Sequence, residues 1–466
     1  MNTDTTRQEL QNSCEAAMIS NGPNRGVVTT RGNHACAGDD TVANLSAKVR
    51  LFPIVFFITY LSFTVFLFAF GPWPYPIVDG TKLYVFLAFA HLALLIGYLS
   101  MAFHRPGGYY GHWSAQRLVT FSLAVSLLLF FPTSAFLTGR AIPDVRGALT
   151  NLGAAYTRSR LLRQEGTPII MHLRMFVGPF FAMLLPLTVF YWKKLKPTTR
   201  KWAVVAILGE VAIYIAMGTN AGIARFVLLV PWLLLAGHFS GVQRLNWLRK
   251  GGILVGSIVL LVLFFVFFSS AISTRGSSLS AHYFPATGTY ADIDNFLVRY
   301  LPPGVQDGVL SLTSYVTHGY YALYLSLDEP FVPMFGVGNS LFLFRQAARI
   351  TGIKEIMDLP YPVRIEKYGW DAYGSWSTIY PWIASDVSFP GTIIVVFFIG
   401  RLFALSWLDT LRGNNPFAVV MFAQFSIMLF YFSSNNQLLQ GGEGFIAFWS
   451  VLVLWLTTRA RIRIRL

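Results

Sequence analysis

The chain has 466 residues, 54% hydrophobic, 16% aromatic and only 12% charged, with 36 Lys and Arg against 21 Asp and Glu and a formal net charge of +15. Its apolar residues come in long runs rather than at amphipathic spacing. That excludes a soluble globular domain and predicts a polytopic membrane protein, since about 20 apolar residues cross the hydrocarbon core as a helix. In a soluble chain such a positive balance suggests nucleic-acid binding. Here it reads as cytoplasmic loops facing an anionic leaflet, so membrane lipids and not nucleic acid are the expected partners.

Residues 1–47 are rich in Asn, Thr, Gly and Ser, hold both cysteines, Cys14 and Cys36, and contain no apolar run. They read as a disordered cytoplasmic tail with free thiols, lacking the small-residue cleavage pattern of a signal peptide. Residues 48–466 form the membrane domain. Apolar segments at 51–71, 81–103, 118–139, 169–192, 202–219, 223–239, 252–272, 389–408, 416–433 and 443–458 predict about ten transmembrane helices in an all-α polytopic integral membrane protein. The fifth and sixth are separated only by "TNAG", which predicts a tight hairpin with its tip near one membrane face. The segment "SLTSYVTHGYYALYLSL" (311–327) is apolar but dotted with Tyr, Thr and His, and is expected to be interfacial or re-entrant rather than an added span.

With Lys48 and Arg50 inside, the basic loops "HRPGGYYGHWSAQR" (104–117), "KKLKPTTRK" (193–201), "RLNWLRK" (244–250) and "DTLRGNNP" (409–416) and the terminal "RARIRIRL" all fall inside too, and both termini are cytoplasmic. The same alternation puts the loops 140–168 and 273–388 outside. The first is a short basic loop on the wrong side, with Arg140, Arg146, Arg158, Arg160 and Arg163 against Asp144 and Glu165. Two readings stand. The arginines reach outer-leaflet phosphates and acids of the next loop, or they hold a fixed anionic ligand, because guanidinium forks grip phosphate oxygens bidentately. The second loop is crowded with aromatics, Tyr315, Trp370 and Trp376 among them. That composition suits both a sugar-stacking surface and an ordinary membrane interface.

No P-loop, nicotinamide fingerprint, zinc spacing or Gly-x-Ser-x-Gly elbow is present. "GVGNS" (336–340) is too short for a dinucleotide loop, and "DID" (292–294) is an isolated match to the spacing that holds a metal. A site free of metal and cofactor is expected. Charges within the predicted spans are few: His91, His172, Arg174, Glu210, Arg225 and Arg401. Arg225 follows the "TNAG" tip, where a charge is costly unless it meets an anion or an acid, and Glu210 across the hairpin is the candidate acid. In "GSWSTIYPWIASDVSFPGTIIVVFFIG" (374–400) a polar aromatic run ends at Asp386, a Pro-Gly break follows and an apolar span begins. This predicts a half-helix dipping from outside, with Asp386 at the membrane rim or capping the helix that follows.

The pattern resembles the Wzy-type oligosaccharide repeat-unit polymerases of bacterial O-antigen and exopolysaccharide assembly. Ser377 and Thr378 lead to Asp386, Val387 and Ser388 stand where that family has Phe-Gly, Gly391 keeps the spacing of the second glycine, and Gly400 lies in the span. "GTNAGIARFVLLVPWLL" is similar to the family's glycine-to-arginine segment and gives Arg225 a counterpart. The resemblance covers roughly residues 50 to 455. It implies a metal-independent glycosyltransferase of the bacterial inner membrane that transfers a glycan from undecaprenyl pyrophosphate to another lipid-linked repeat unit, alongside a flippase and a chain-length regulator. It further implies Arg146, Arg158, Arg160, Arg163, Arg225 and Arg275 as the pyrophosphate clamp, and His318 or Asp386 as the base for the acceptor hydroxyl. Trp370, Trp376 and Tyr315 are the expected glycan contacts. An O-antigen ligase and a sugar transporter or flippase remain alternatives.

Overall fold

The computed structural model describes residues 46–164, 169–243, 246–274 and 282–459. These are mostly helical; the only strands among them pair Tyr283–Phe284 with Thr289–Tyr290. The first helices are α1 (Ala47–Phe70), α2 (Thr81–Ala102), α3 (Ala115–Thr138), α4 (Val145–Thr150), α5 (Leu152–Gln164), α6 (Ile169–Phe176) and α7 (Gly178–Phe190). There follow α8 (Pro197–Ala216), α9 (Asn220–Phe239), α10 (Trp247–Thr274), α11 (Pro303–Ser326), α12 (Leu341–Thr351) and α13 (Tyr361–Arg364). The last are α14 (Ile379–Arg412), α15 (Pro416–Phe430) and α16 (Gly442–Arg459). Six described helices, α1, α2, α3, α9, α10 and α14, are long and apolar enough to cross a membrane; counting the α6–α7 pair, bent by 55°, as one span makes seven. The protein is a helical multi-pass membrane protein.

Two helices mark the extremes of packing. Every residue of α15 is buried, with α7, α9, α14 and α16 around it, whereas only 6% of the apolar window of α10 is buried. A helix apolar on all sides is stable in hydrocarbon with few protein contacts, because its backbone polar groups are satisfied internally. The closest helix pair is α2 with α14. A Cβ on Gly97 would sit 2.0 Å from the Phe397 carbonyl oxygen, and one on Gly400 2.3 Å from that of Leu94. Glycine at both positions lets the two backbones touch, the close approach that favours small residues between membrane helices.

At one end of the bundle the basic loops meet. Buried Asp409 accepts from the Gly107 N–H (2.6 Å), Trp455 Nε1 (2.9 Å) and Arg459 Nε (2.8 Å), while Gln116 Nε2 donates to Thr199 Oγ1 (2.7 Å) and Tyr191 Oη to the Gly413 carbonyl (3.2 Å). The opposite end carries 282–378. There α11 lies against the end of α1 and the loop after it: Trp73 Nε1 donates to the Leu310 carbonyl (3.0 Å), and hydroxyl pairs join Tyr75 to Thr317 and Thr64 to Tyr320 (2.8 Å each).

The break inside α14 falls at Ser388, whose φ of 63° and ψ of 170° interrupt an otherwise helical run. A non-glycine residue in this region costs about 1–3 kcal/mol. Pro390 then sits in the first turn of the second segment, where its missing N–H costs nothing. Ser388→Gly should therefore raise stability by about 1 kcal/mol after glycine's greater chain entropy is offset. The check is the midpoint of thermal unfolding in detergent, and a midpoint lowered by the glycine would rule out strain at this turn.

Candidate substrate cavity

A cavity of about 420 Å³ is set into the bundle at the end that carries 282–378. Its walls come from α7, α8, α9, α15 and α16, with Leu341 and Trp376 above and the loop 435–441 at the side. Three charged side chains, Glu210, Arg225 and Glu443, line it together with the Tyr214 phenol. Arg174, itself buried, stands behind the two acids: Nε and Nη2 grip Glu443 at 2.9 and 3.1 Å, Nη2 also meets Glu210 Oε1 at 3.4 Å, and Nη1 donates to Thr133 Oγ1 at 3.3 Å. The approach is possible because Gly178 opens α7. A Cβ there would lie 2.7 Å from the Glu443 carbonyl oxygen.

Arg225 stands differently. No hydrogen bond or ion pair among the described residues engages its guanidinium, although it belongs to the cavity wall. Glu210 is the acid that the sequence offers Arg225 as one of two readings; its hydrogen bond goes instead to Arg174, 36 residues away along the chain, because the α6–α7 bend brings that arginine across. Uncharged polar groups share a lining otherwise supplied mostly by apolar side chains such as Phe181, Leu185 and Leu229. Gln424 is 6% exposed with neither amide atom hydrogen-bonded, and the Gln440 Nε2 lacks a partner while its Oε1 accepts from the Leu341 N–H. Buried amides without partners cost about 1–3 kcal/mol each, so they mark where a polar ligand or water is accommodated.

The loop between α15 and α16 is held by a relay that begins at Asp386. Its Oδ1 accepts from the N–H of Gly336 and Gly338 (2.8 Å each), and its Oδ2 from Asn339 N (2.9 Å) and Nδ2 (2.6 Å). The Asn339 carbonyl accepts in turn from Asn436 Nδ2 (2.6 Å), and the Phe342 N–H donates to the Gln440 carbonyl (3.1 Å). The "GVGNS" stretch is thus an anion-holding nest, and the anion is the protein's own carboxylate. With four donors on its two oxygens, Asp386 anchors this loop.

His318, the other candidate base, is also held on both sides of its ring. It is buried among the rings of Phe284, Tyr315 and Trp370. Nδ1–H donates to the Ser314 carbonyl (2.8 Å), and Nε2 accepts from the Trp376 N–H (3.1 Å). Both nitrogens are used, so the ring pins the segment leading to Trp376. Burial pushes its pKa down from 6.5 to about 4. The folded state therefore excludes a proton that the unfolded chain takes up near pH 6.5. Stability from this group is complete above that pH and is lost as pH falls toward 4, at up to about 1.4 kcal/mol per pH unit. Comparing wild type with His318→Asn across pH 4–7 in thermal unfolding checks this; parallel curves would exclude it.

The other sequence-predicted residues separate. Trp376, 37% exposed, lines the cavity with Arg225. Trp370 is 1% exposed in the core and offers no face to a sugar. Tyr315 lines a different, almost wholly apolar cleft of about 660 Å³ between α1, α9, α10, α11 and α15. Arg146, Arg158, Arg160 and Arg163 are all exposed on α4 and α5, and none borders the cavity. Arg158 edges a shallow depression with Arg140 and Asp144, which pair at 2.7 Å, and Arg163 Nε donates to the Ser159 carbonyl. Arg158 and Arg160, two apart on α5, do not share a face, whereas Arg160 and Arg163, three apart, do. Arg275 lies outside the described residues.

Fold and site together define a multi-pass helical membrane protein with a polar, charge-lined cavity sunk into one end of its bundle. Comparison with protein-family models, with curated proteins and with solved structures finds no match for the chain.

Proposed function

We propose that the protein is a repeat-unit polymerase, a metal-independent glycosyltransferase that joins oligosaccharide units carried on undecaprenyl pyrophosphate at the extracytoplasmic face of the bacterial inner membrane. The observation that carries this reading is the unengaged Arg225 guanidinium in a polar cavity within the membrane domain, beside an accessible tryptophan face and unpartnered amides. Breaking the bond from an anomeric carbon to pyrophosphate builds negative charge on the leaving group, and a preorganised guanidinium stabilises it without a metal. Trp376 offers a ring for the sugar, and Gln424, Gln440 and Asn435 offer donors and acceptors for its hydroxyls.

In this reading the chain crosses the membrane ten times with both termini in the cytoplasm. The clustered basic loops form the inner face, and the end bearing the cavity faces outward. The exposed arginines of α5 then bind lipid phosphates rather than the reacting pyrophosphate. Deletion of the gene, followed by electrophoresis of surface glycan, tests the activity. Core carrying a single repeat, restored to a ladder by the wild-type chain, is the expected result. Loss of all attached glycan would indicate a ligase instead, and an unchanged ladder would dismiss both.

A further inference from the structure

We infer that Glu210 is the group that takes the proton from the acceptor hydroxyl. The inference rests on the polymerase reading and goes beyond it by naming the base. Glu210 lines the same cavity as Arg225 and Trp376, on the helix that pairs with the start of α9. Its two oxygens are unequal. Oε1 is steadied by Arg174 at 3.4 Å, and Oε2 carries no hydrogen bond among the described residues. A base needs this arrangement: one oxygen held so that the carboxylate cannot turn, the other open toward the substrate.

The other acids near the site are engaged. Glu443 gives both oxygens to the Arg174 fork, Asp386 is consumed by its loop, and Asp371, whose Oδ1 accepts from the N–H groups of Tyr373 and Gly374, does not line the cavity. His318 has neither nitrogen free. Arg174 and Glu443 are accordingly positioning residues, and Glu210 with Arg225 places an electron-pair donor and an anion receptor in one chamber.

The step balances as follows. The acceptor hydroxyl gives its proton to Glu210 Oε2 as its oxygen bonds the anomeric carbon of the donor glycan. The bond from that carbon to the pyrophosphate oxygen breaks, and the electron pair leaves with the lipid pyrophosphate beside Arg225. Glu210 then releases the proton to water. The ionisable groups facing this carboxylate are Arg174, Glu443, Arg225 and Tyr214.

The test combines two measurements on the full chain. Binding of undecaprenyl pyrophosphate to purified protein is compared for wild type, Glu210→Gln and Arg225→Ala, and chain extension is read from the surface-glycan ladder in cells at matched membrane levels. Glu210→Gln should bind the lipid pyrophosphate within about threefold of wild type yet lose extension by 100-fold or more, the scale of a general base. Glu210→Asp should retain part of the activity, with the acid limb of its pH profile displaced. A full ladder with Glu210→Gln overturns the assignment while leaving the polymerase reading intact. Absence of lipid pyrophosphate binding to wild type overturns the reading itself. If Glu210→Gln fails to accumulate, Glu210→Asp decides: a pH profile superimposable on wild type rejects the base.

Discussion

Replacing Arg225 by alanine should reduce chain extension by 100- to 1,000-fold, the loss that follows removal of one preorganised donor from a developing anion and equivalent to about 2.7–4 kcal/mol. The expectation follows from the state of this side chain. It lines a cavity in the membrane domain, has no ion-pair partner among the described residues, and shares the chamber with Glu210 without pairing to it. Lysine keeps the charge but loses the planar fork, so Arg225→Lys should recover only part of the activity. Alanine at Arg158, Arg160 or Arg163 should leave extension within about threefold of wild type, because these residues are exposed on α5 away from the cavity and exposed charges contribute about 0–1 kcal/mol. The measurement is the distribution of surface-glycan length in complemented deletion cells. A normal ladder with Arg225→Ala, or loss of the ladder with the α5 variants alone, would relocate the anion site to the outer loop.

The second large effect is on stability. Arg174→Ala leaves Glu443 and Glu210 facing each other at the edge of the hydrocarbon with no cation between them, and breaking a buried pair of this kind costs about 3–5 kcal/mol. The variant should unfold at lower temperature in detergent and accumulate poorly. Adding Glu443→Gln removes one orphaned charge and should restore much of the loss, giving a coupling of about 1–3 kcal/mol in the double-mutant cycle. Additive effects would show that the three side chains do not act as a unit. This cycle also separates two roles of the acids, since Glu443→Gln should preserve measurable extension whereas Glu210→Gln should not.

How far the sequence alone reached differs by level. The apolar segments were legible because the bilayer imposes a local rule: a run long enough to cross must satisfy its own backbone, whatever its neighbours are. All ten segments fall on described helices, of which six, or seven with the bent α6–α7 pair, are long and apolar enough to cross; 311–327 lies in α11, which starts at Pro303, and α14 breaks after Asp386. Polar side chains obey no such local rule. Asp386 carries the signature of a reactive carboxylate, yet three backbone N–H groups 47 to 50 residues upstream occupy it. "GVGNS" has the glycines of an anion cradle, and its anion is internal.

The charges of the outer loop show most plainly what composition lacks. Counting arginines in 140–168 revealed an excess of positive charge but not where it lies, and α4 and α5 place Arg146, Arg158, Arg160 and Arg163 on the surface away from the cavity. Arg174, by contrast, is a single charge in an apolar segment, and its meaning depends on Glu443, 269 residues later. The sequence by itself determined a helical membrane protein, the position of its apolar segments and the presence of Arg225 near a helix start, since these follow from the solvent that the chain must satisfy. Only the tertiary structure decided which polar groups share a cavity and which neutralise one another, because that depends on the ends of five helices meeting at one place, and meeting is a property of packing rather than of any segment.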